Sequence, residues 1–208
     1  MPRFFISEEN IACGKISISG EDVNHIKNVL RLERGDSLTL CDGNKKDYIV
    51  EIESFETCRI LTNIVRIEDN RSEPTVEVIL FQGIPKSDKM DLIIQKSVEL
   101  GVGKIYPVIT ERTIVRLGSQ KDIDNKLKRW QRISLEAAKQ CGRGIIPEVK
   151  NPVSFKKALS LAGSAQLGLI PYEKETAKSL KHYLRSGNIE SVSVIIGPEG
   201  GFSEKEIE

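Results

Sequence analysis

In the second part of the sequence, short apolar runs alternate with longer segments that have helical periodicity. The apolar runs cover residues 76–81, 105–109, 166–170 and 192–196. Helical spacing of apolar residues is found over residues 88–100, 122–140, 154–161 and 176–185. Gly101 is expected to form a left-handed cap at the end of the first of these helices, and Ser186-Gly187 to end the last. Strands that alternate with helices are typical of crossover connections, which join parallel strands. The alternation therefore predicts an α/β domain built on a largely parallel sheet.

The first 70 residues follow a different pattern, in which apolar and polar residues alternate over short segments. These segments are residues 3–6, 15–18, 37–40, 48–52 and 59–67, and such alternation is typical of half-buried strands. Asp42-Gly43-Asn44 lies between two of them and predicts a hairpin turn. A helix is expected to begin after Ser19, which would cap it. Its buried face would carry Val23, Ile26, Val29 and Leu30. The pattern predicts a small β-barrel with an inserted helix.

A polar run at residues 68–74, with the sequence EDNRSEP, separates the two patterns. Its charge and its terminal proline are typical of a linker between folding units. We therefore predict two domains, over residues 1–70 and 74–208.

Composition excludes several classes of function. The four cysteines have no C-x-x-C spacing and only two histidines occur, so neither a metal site nor a disulfide framework is expected. The sequence lacks the H-E-x-x-H, G-x-S-x-G and Walker motifs of metallohydrolases, serine hydrolases and P-loop proteins. No run approaches the roughly 20 apolar residues of a membrane span, and the N-terminus lacks a signal-peptide core. We expect a cytoplasmic protein with no membrane partner.

Basic side chains are concentrated between residues 112 and 150, although the net charge of the chain is only +1. The low net charge argues against nucleic-acid binding by bulk charge, but it leaves room for a local basic surface. Taken alone, the basic segment is more typical of a solvated helix face.

Residues expected at the carboxyl ends of the parallel strands are candidates for a ligand site, because ligands of open α/β sheets bind there. They are residues 82–86, 110–112, 171–173 and 197–201. The last segment, Gly-Pro-Glu-Gly-Gly, has glycines that let the backbone approach a ligand closely. Ser203 and Glu206 predict a capping box for a helix that follows it. Taken alone, such a loop is more often a generic strand-to-helix turn.

Several segments resemble, in order and spacing, the RsmE family of 16S ribosomal RNA uracil-N3 methyltransferases, which belongs to the SPOUT superfamily. The N-terminal matches are Arg3-Phe4-Phe5, HIKNVLR at residues 25–31 and Gly35-Asp36. The C-terminal matches are KSVELGV at residues 96–102, Glu111-Arg112, Arg129-Trp130, EAAKQCGR at residues 136–143 and IGPEGGFS at residues 196–203. The resemblance covers essentially the whole chain.

The resemblance implies a PUA-like or OB-like β-barrel that helps to hold RNA, followed by a SPOUT α/β domain with a C-terminal trefoil knot. It implies a homodimer that binds S-adenosyl-L-methionine (SAM) and acts on 16S rRNA of the small ribosomal subunit. The SAM-binding residues it implies are Leu169, Ile170, Pro171, Gly197, Pro198, Glu199, Gly200 and Gly201. Members of the family continue beyond the position of Glu208, so we expect a truncated chain with an incomplete knot.

Two residues are candidates for a part in methyl transfer to uracil N3, which must lose a proton. Arg143 could stabilise the developing uracil anion, and an arginine that binds phosphate or is merely exposed is an equally good interpretation. Glu199 could orient the ligand or accept a proton, and a role in positioning the main chain is favoured over that of a general base. The candidates for contacts with RNA phosphates are Arg3, Arg31, Lys86 and Arg112.

Two other functions fit the same residues. One is a SPOUT methyltransferase with a different target, such as a ribose 2′-hydroxyl or another base. The other is a noncatalytic RNA-binding protein that keeps the fold. Binding of SAM would separate the second from an enzyme, and mass analysis of the modified nucleoside would identify the target.

Overall fold

The computed structural model describes residues 1–115, 117–175, 179–184 and 188–208. Arg116 of the basic segment, both ends of the helix predicted over residues 176–185 and the Ser186-Gly187 pair expected to end it lie outside the described residues. The chain divides into two compact units. The first comprises Met1–Glu73 with Ala138–Ile146, and the second comprises Pro74–Ala137 with Pro147–Glu208.

The first unit contains a six-stranded, mainly antiparallel sheet around one apolar core. Its strands follow the order β1-β4-β5-β6-β3-β2, and they are β1 (Arg3–Phe5), β2 (Ile11–Ala12), β3 (Lys15–Ser19), β4 (Ser37–Cys41), β5 (Lys46–Phe55) and β6 (Arg59–Asp69). Phe4 of β1 and Ile16 of β3 lie in one cluster of buried side chains with residues of β4 and β5. Because strands from both ends of the sheet supply this cluster, the sheet curls around it. The predicted strands and the hairpin at residues 42–44 are confirmed.

The inserted helix differs from the prediction. The helix α1 (Glu21–Asn24) begins after Gly20 rather than Ser19, and it continues as a π-helical turn over His25–Val29. Ile26 is fully buried, whereas Val29 is 65% exposed and Leu30 is 36% exposed. A π turn holds more residues than an α turn. The residues after it therefore rotate away from the face that α-helical spacing predicts.

Residues 68–74 do not form a loose linker. The strand β6 extends through Asp69, and the side chains of Asn70 and Ser72 both donate hydrogen bonds to the carbonyl of Gly142. The carboxylate of Glu73 accepts hydrogen bonds from the backbone N–H groups of Gly144 and Ile145. These contacts explain why residues 138–146 belong to the first unit. The predicted boundary at residues 70–74 placed them in the second domain.

The second unit is the predicted α/β unit with a parallel sheet. Its strands are β7 (Glu77–Gly83), β8 (Lys104–Ile109), β9 (Glu148–Val149), β10 (Val153–Ser154), β11 (Leu167–Leu169) and β12 (Ser191–Ile196). They follow the order β10-β8-β7-β12-β11, with β9 also paired to β8, and every pairing is parallel. Phe81 and Ile195 of the central strands pack in a core with Ala158 and Phe202.

Among the described residues, four helices of the second unit lie between these strands in the chain, and a fifth follows β12. They are α2 (Lys89–Glu99), α3 (Gln120–Cys141, whose last residues belong to the first unit), α4 (Phe155–Ala162), α5 (Leu180–Leu184) and α6 (Glu204–Ile207). Gly101 has a φ of 97° just after α2, which confirms the predicted left-handed cap. Trp130 of α3 is buried. No helix of the described residues is long and apolar enough to cross a membrane.

Candidate functional site

The carboxyl ends of β7 and β12 lie side by side at the centre of the second sheet. The connection from β7 leads to β8 on one side, and β12 is reached from β11 on the other. Ligands of open α/β sheets bind at such a point because the loops diverge there and leave a crevice. Three loops meet at this edge: the β7 loop (residues 84–88), the β8 loop (residues 110–114) and the glycine loop (residues 197–201).

The end of β7 makes very close backbone contact with the glycine loop. A Cβ atom placed on Gly83 would lie 2.6 Å from both the N and the Cδ atoms of Pro198, and 2.9 Å from the carbonyl carbon of Gly197. The neighbouring side chain of Gln82 is buried, and its Nε2 donates to the carbonyl of Gly197 over 3.3 Å. Only glycine fits at position 83 without displacing the glycine loop.

The glycine loop folds tightly on itself. The backbone N–H of Gly201 donates to the carbonyl of Pro198 over 2.8 Å, and Gly201 has a φ of 67°, a left-handed value that favours glycine. A Cβ on Gly197 would lie 3.1 Å from backbone atoms of Gly201. By contrast, the space beside the Cα of Gly200 is bounded only by the side chain of Arg112 at ordinary contact distance. The loop therefore keeps an open backbone face at Gly200.

Glu199 connects the glycine loop to the β7 loop. Its carboxylate accepts a hydrogen bond from Nζ of Lys89 over 2.7 Å and from the backbone N–H of Lys86 over 3.2 Å. The bond from Lys89, aided by the N–H groups of Glu199 itself and Lys86, lowers the pKa of Glu199 to about 2. A carboxylate with so low a pKa is a weak base at neutral pH. The contacts favour orientation of the loop over proton transfer as the role of Glu199.

Arg112 and Glu206 connect the glycine loop to the β8 loop. The Nη1 atom of Arg112 donates to the carbonyl of Gly200 over 2.6 Å. The carboxylate of Glu206 accepts from the backbone N–H of Glu111 over 2.9 Å and from that of Ser203 over 3.0 Å. The second of these bonds is the Glu206 half of the predicted capping box, whereas the Ser203 hydroxyl finds no partner among the described residues.

A cleft of about 490 Å³ opens between the three loops. It is lined by Ile84, Lys86, Arg112, Ile114, Pro198, Glu199 and Gly200. Its apolar surface comes from Ile84, Pro198 and Ile114, and its two cationic side chains are Lys86 and Arg112. An apolar cleft with a few convergent charges is suited to a small planar ligand that carries negative charge nearby. Five of the residues predicted from the sequence thus share one cleft.

The other predicted ligand residues of this unit follow β11. Leu169 pairs with Val194 of β12, so it ends its strand beside the strand that leads into the glycine loop. Ile170 is 36% exposed, and Pro171 is also exposed. Their position at the same edge of the sheet is compatible with a wall of the predicted cofactor site.

The remaining predicted residues belong to the first unit, and two of them are held in buried ion pairs. Arg143 is 4% exposed, and its Nη2 donates to the carboxylate of Glu73 over 2.6 Å. Arg3 donates to both carboxylate oxygens of Asp47, and its side chain is 12% exposed. Arg143 is therefore not the exposed residue that one interpretation expected, and both arginines have structural partners in place of an RNA phosphate. Arg31 is exposed and has a φ of 54°, a strained value for a residue with a side chain.

Sequence reasoning missed three contributors to the site. Lys89 was assigned only to a helix, Ile114 to no element, and Glu206 only to a helix cap. Lys89 contacts Glu199, which is 110 positions away in the chain, and Glu206 contacts Glu111, which is 95 positions away. Ile114 joins the site only as part of the cleft lining. Local periodicity has no signal for such contacts. The capping-box pattern at Ser203 and Glu206 was the one available hint.

Comparison with family models gives two matches. A family described as an RNA methyltransferase domain matches residues 71–208. A family described as an RNA methyltransferase PUA domain matches residues 18–60. The first match covers all three loops of the cleft, and the second falls within the curled sheet of the first unit.

Similar proteins cover the whole chain. A protein of Bacillus subtilis named ribosomal RNA small subunit methyltransferase E is 30% identical, over 100% of this chain and 84% of its own length. A protein of the same name from Mesomycoplasma hyopneumoniae is 32% identical, over 100% of this chain and 86% of its own. The crystal structure of a ribosomal RNA small subunit methyltransferase E from Neisseria gonorrhoeae, bound to S-adenosyl methionine, superposes with a TM-score of 0.85 at 33% identity. It covers 100% of this chain and 83% of that one.

Proposed function

The chain belongs to the ribosomal RNA small subunit methyltransferase E family, and from this premise we propose that it transfers a methyl group from SAM to N3 of a uridine in 16S rRNA. The observation that supports this most directly is the coincidence of the family match with the cleft at the central edge of the sheet. A member of the same family has been solved with SAM bound.

The glycine loop suits a bound SAM. Gly200 lines the cleft, a Cβ placed on it would contact only the side chain of Arg112 among the described residues, and a Cβ at Gly201 would meet no described atom within 4 Å. Such a surface lets main-chain groups reach a ligand that a side chain would keep away. We assign the cofactor to Gly197, Pro198, Glu199, Gly200 and Gly201, with Leu169, Ile170 and Pro171 as the wall on the side of β11.

The cofactor supplies a methyl group on a positively charged sulfur, which a nitrogen atom can attack directly. The chain must then orient the uracil and stabilise the negative charge that develops as its N3 proton leaves. Lys86 and Arg112 are the cations of the cleft, and we assign them to the uracil or its flanking phosphate. Glu199 holds the glycine loop against the β7 loop and the start of α2, because its carboxylate accepts hydrogen bonds from Lys86 and Lys89.

Arg143 and Arg3 have a different place in this proposal. The guanidinium of Arg143 is paired with Glu73 in a buried site, and that of Arg3 is paired with Asp47 in a partly buried one. Breaking such a pair to contact a uracil or a phosphate would leave a buried carboxylate without its partner, which is costly. We therefore propose structural roles for both, and we keep Arg31 in the set of RNA contacts.

The knot, the homodimer and the cytoplasmic location are parts of the proposal that rest on the family resemblance. The order of strands around β12, between β7 and β11, is compatible with a chain that threads past its own loops. Sedimentation at micromolar concentration distinguishes a dimer from a monomer.

The decisive experiment is mass analysis of nucleosides from the 16S rRNA of cells that lack the gene. Loss of 3-methyluridine, and its return when the gene is restored, is the expected result. Loss of a ribose-methylated nucleoside or another methylated base would identify a different target. Unchanged nucleosides, together with no SAM binding by calorimetry, would instead indicate a noncatalytic RNA-binding protein. A Gly200→Val variant should lose SAM binding, because its side chain would enter the cleft beside Arg112.

A further inference from the structure

The carboxylate of Glu206 joins two segments that are far apart in the sequence. One oxygen accepts the backbone N–H of Glu111, in the β8 loop, over 2.9 Å. The other accepts the backbone N–H of Ser203, just after the glycine loop, over 3.0 Å. A helix cap needs only the second contact. The first contact joins the same carboxylate to Glu111 of the β8 loop, the residue immediately before Arg112.

Arg112 forms the second connection between the same two segments. Its Nη1 donates to the carbonyl of Gly200, three residues before Ser203. The β8 loop is also fixed within itself, since the backbone N–H of Thr110 donates to the hydroxyl of Thr113 over 2.9 Å and the N–H of Thr113 donates to the carbonyl of Thr110. Glu206, Glu111, Arg112 and Gly200 thus close a ring of contacts around one wall of the cleft.

We infer that Glu206 is a positioning residue, which acts by fixing the β8 loop so that Arg112 faces the substrate nucleotide. This inference rests on the proposed function for the identity of that nucleotide. Arg112 is an exposed residue with a long, flexible side chain, and a flexible cation loses entropy when it binds a ligand. The Glu206 contact fixes the backbone from which Arg112 extends, so less of that freedom has to be lost on binding.

The test is a double-mutant cycle on the full-length protein. The variants are Glu206→Ala, Arg112→Ala and the two combined. Glu204→Ala is the matched control, because Glu204 is an exposed carboxylate in the same turn of α6. The measurements are the single-turnover rate of methyl transfer to 16S rRNA fragments, the Kd of those fragments and the SAM Kd, at a temperature well below the unfolding midpoint of every variant.

We expect Glu206→Ala to lower the single-turnover rate by about 10- to 100-fold, the range for a displacement of about 1 Å in a positioned group. In the Arg112→Ala background the same change should cost less than about threefold, because residues that act through one another are not additive. Glu206→Gln keeps one acceptor oxygen and should lose less than Glu206→Ala. Glu204→Ala should behave as the wild type does.

Two results would overturn the inference. One is a double variant whose loss is the product of the two single losses, which is the behaviour of an independent helix cap. The other is a Glu206→Ala variant with the rate and affinity of Glu204→Ala. If the wild-type protein binds RNA but transfers no methyl group, the proposed function is wrong and the inference about Glu206 is still testable. The double-mutant cycle is then evaluated from the Kd values for RNA.

Discussion

A substitution at Gly83 tests whether its close contact with Pro198 sets the position of the glycine loop. In Gly83→Ala the new Cβ would start 2.6 Å from Pro198, and an ordinary contact begins at 3.4 Å, so one of the two backbones must move by about 0.8 Å. Both are main chain, at the end of a central strand and in a tight loop, and neither has a flexible side chain to turn aside. Overpacking of this kind costs about 1–3 kcal/mol of folding free energy. A shift of about 1 Å in a positioned loop can lower a rate about 100-fold.

Urea unfolding and SAM calorimetry measure the two effects separately. The matched control is Gly168→Ala in β11, where the added Cβ would lie at 3.5 Å from the Ser193 hydroxyl, an ordinary contact. We expect the control to retain stability and SAM affinity, and Gly83→Ala to lose both. A Gly83→Ala protein with wild-type stability and an unchanged SAM Kd would refute the argument that this contact sets the position of the glycine loop.

Three further predictions concern charged groups. Replacing Glu73 by Ala should lower the free energy of unfolding by about 3–5 kcal/mol, because it removes the carboxylate that pairs with the buried guanidinium of Arg143; urea unfolding checks this, with Glu56→Ala in an exposed pair as the control. Burial alone would raise the pKa of Glu73, but Arg143 and the N–H groups of Ile145 and Gly144 outweigh it and lower the pKa. The stabilisation from Glu73 should therefore be fully present above the pKa of an unfolded-state carboxyl and disappear as the pH falls through the lower folded-state pKa, and a flat dependence in acid would contradict it. Glu199→Gln should weaken SAM binding and leave the pH dependence of the rate unchanged between about pH 6 and 9, because a group with a pKa of about 2 does not titrate there; a wild-type profile whose acidic limb is lost in the variant would restore Glu199 as a base. Arg112→Ala should reduce the slope of log Kd for RNA against log salt by about 1 if Arg112 contacts a phosphate, and an unchanged slope would exclude that contact.

Most elements of the fold could be predicted from local pattern. Strand and helix periods differ, so the apolar alternation in residues 1–70 and the strand–helix alternation after residue 76 distinguish the two units directly. Gly101 was a correct helix end because left-handed backbone favours glycine. The π turn at His25–Val29 could not be predicted from periodicity, because it changes the helix period and no particular residue type marks it.

The site was predictable in part for a related reason. The glycine loop, Lys86 and Arg112 were found because the carboxyl ends of parallel strands converge. Arg143 was expected in the site because a long amphipathic helix precedes it. Its actual partner, Glu73, is 70 residues earlier, in a polar run that has the composition of a linker. Ion pairs between distant segments leave no periodic trace, so only the three-dimensional structure identifies them.

The position of β12 has a consequence for the order in which the molecule is made. β12 lies between β7 and β11, and its residues pair with residues of β7 that precede them by more than a hundred positions. At a synthesis rate of about 5–20 residues per second, roughly 6–23 seconds pass between the synthesis of β7 and that of β12. During that interval one edge of β7 is unpaired, and such an edge can pair with another chain. The edge of the sheet that carries the candidate site is therefore complete only after β12 has been synthesised, and a nascent chain lacks the cleft until then.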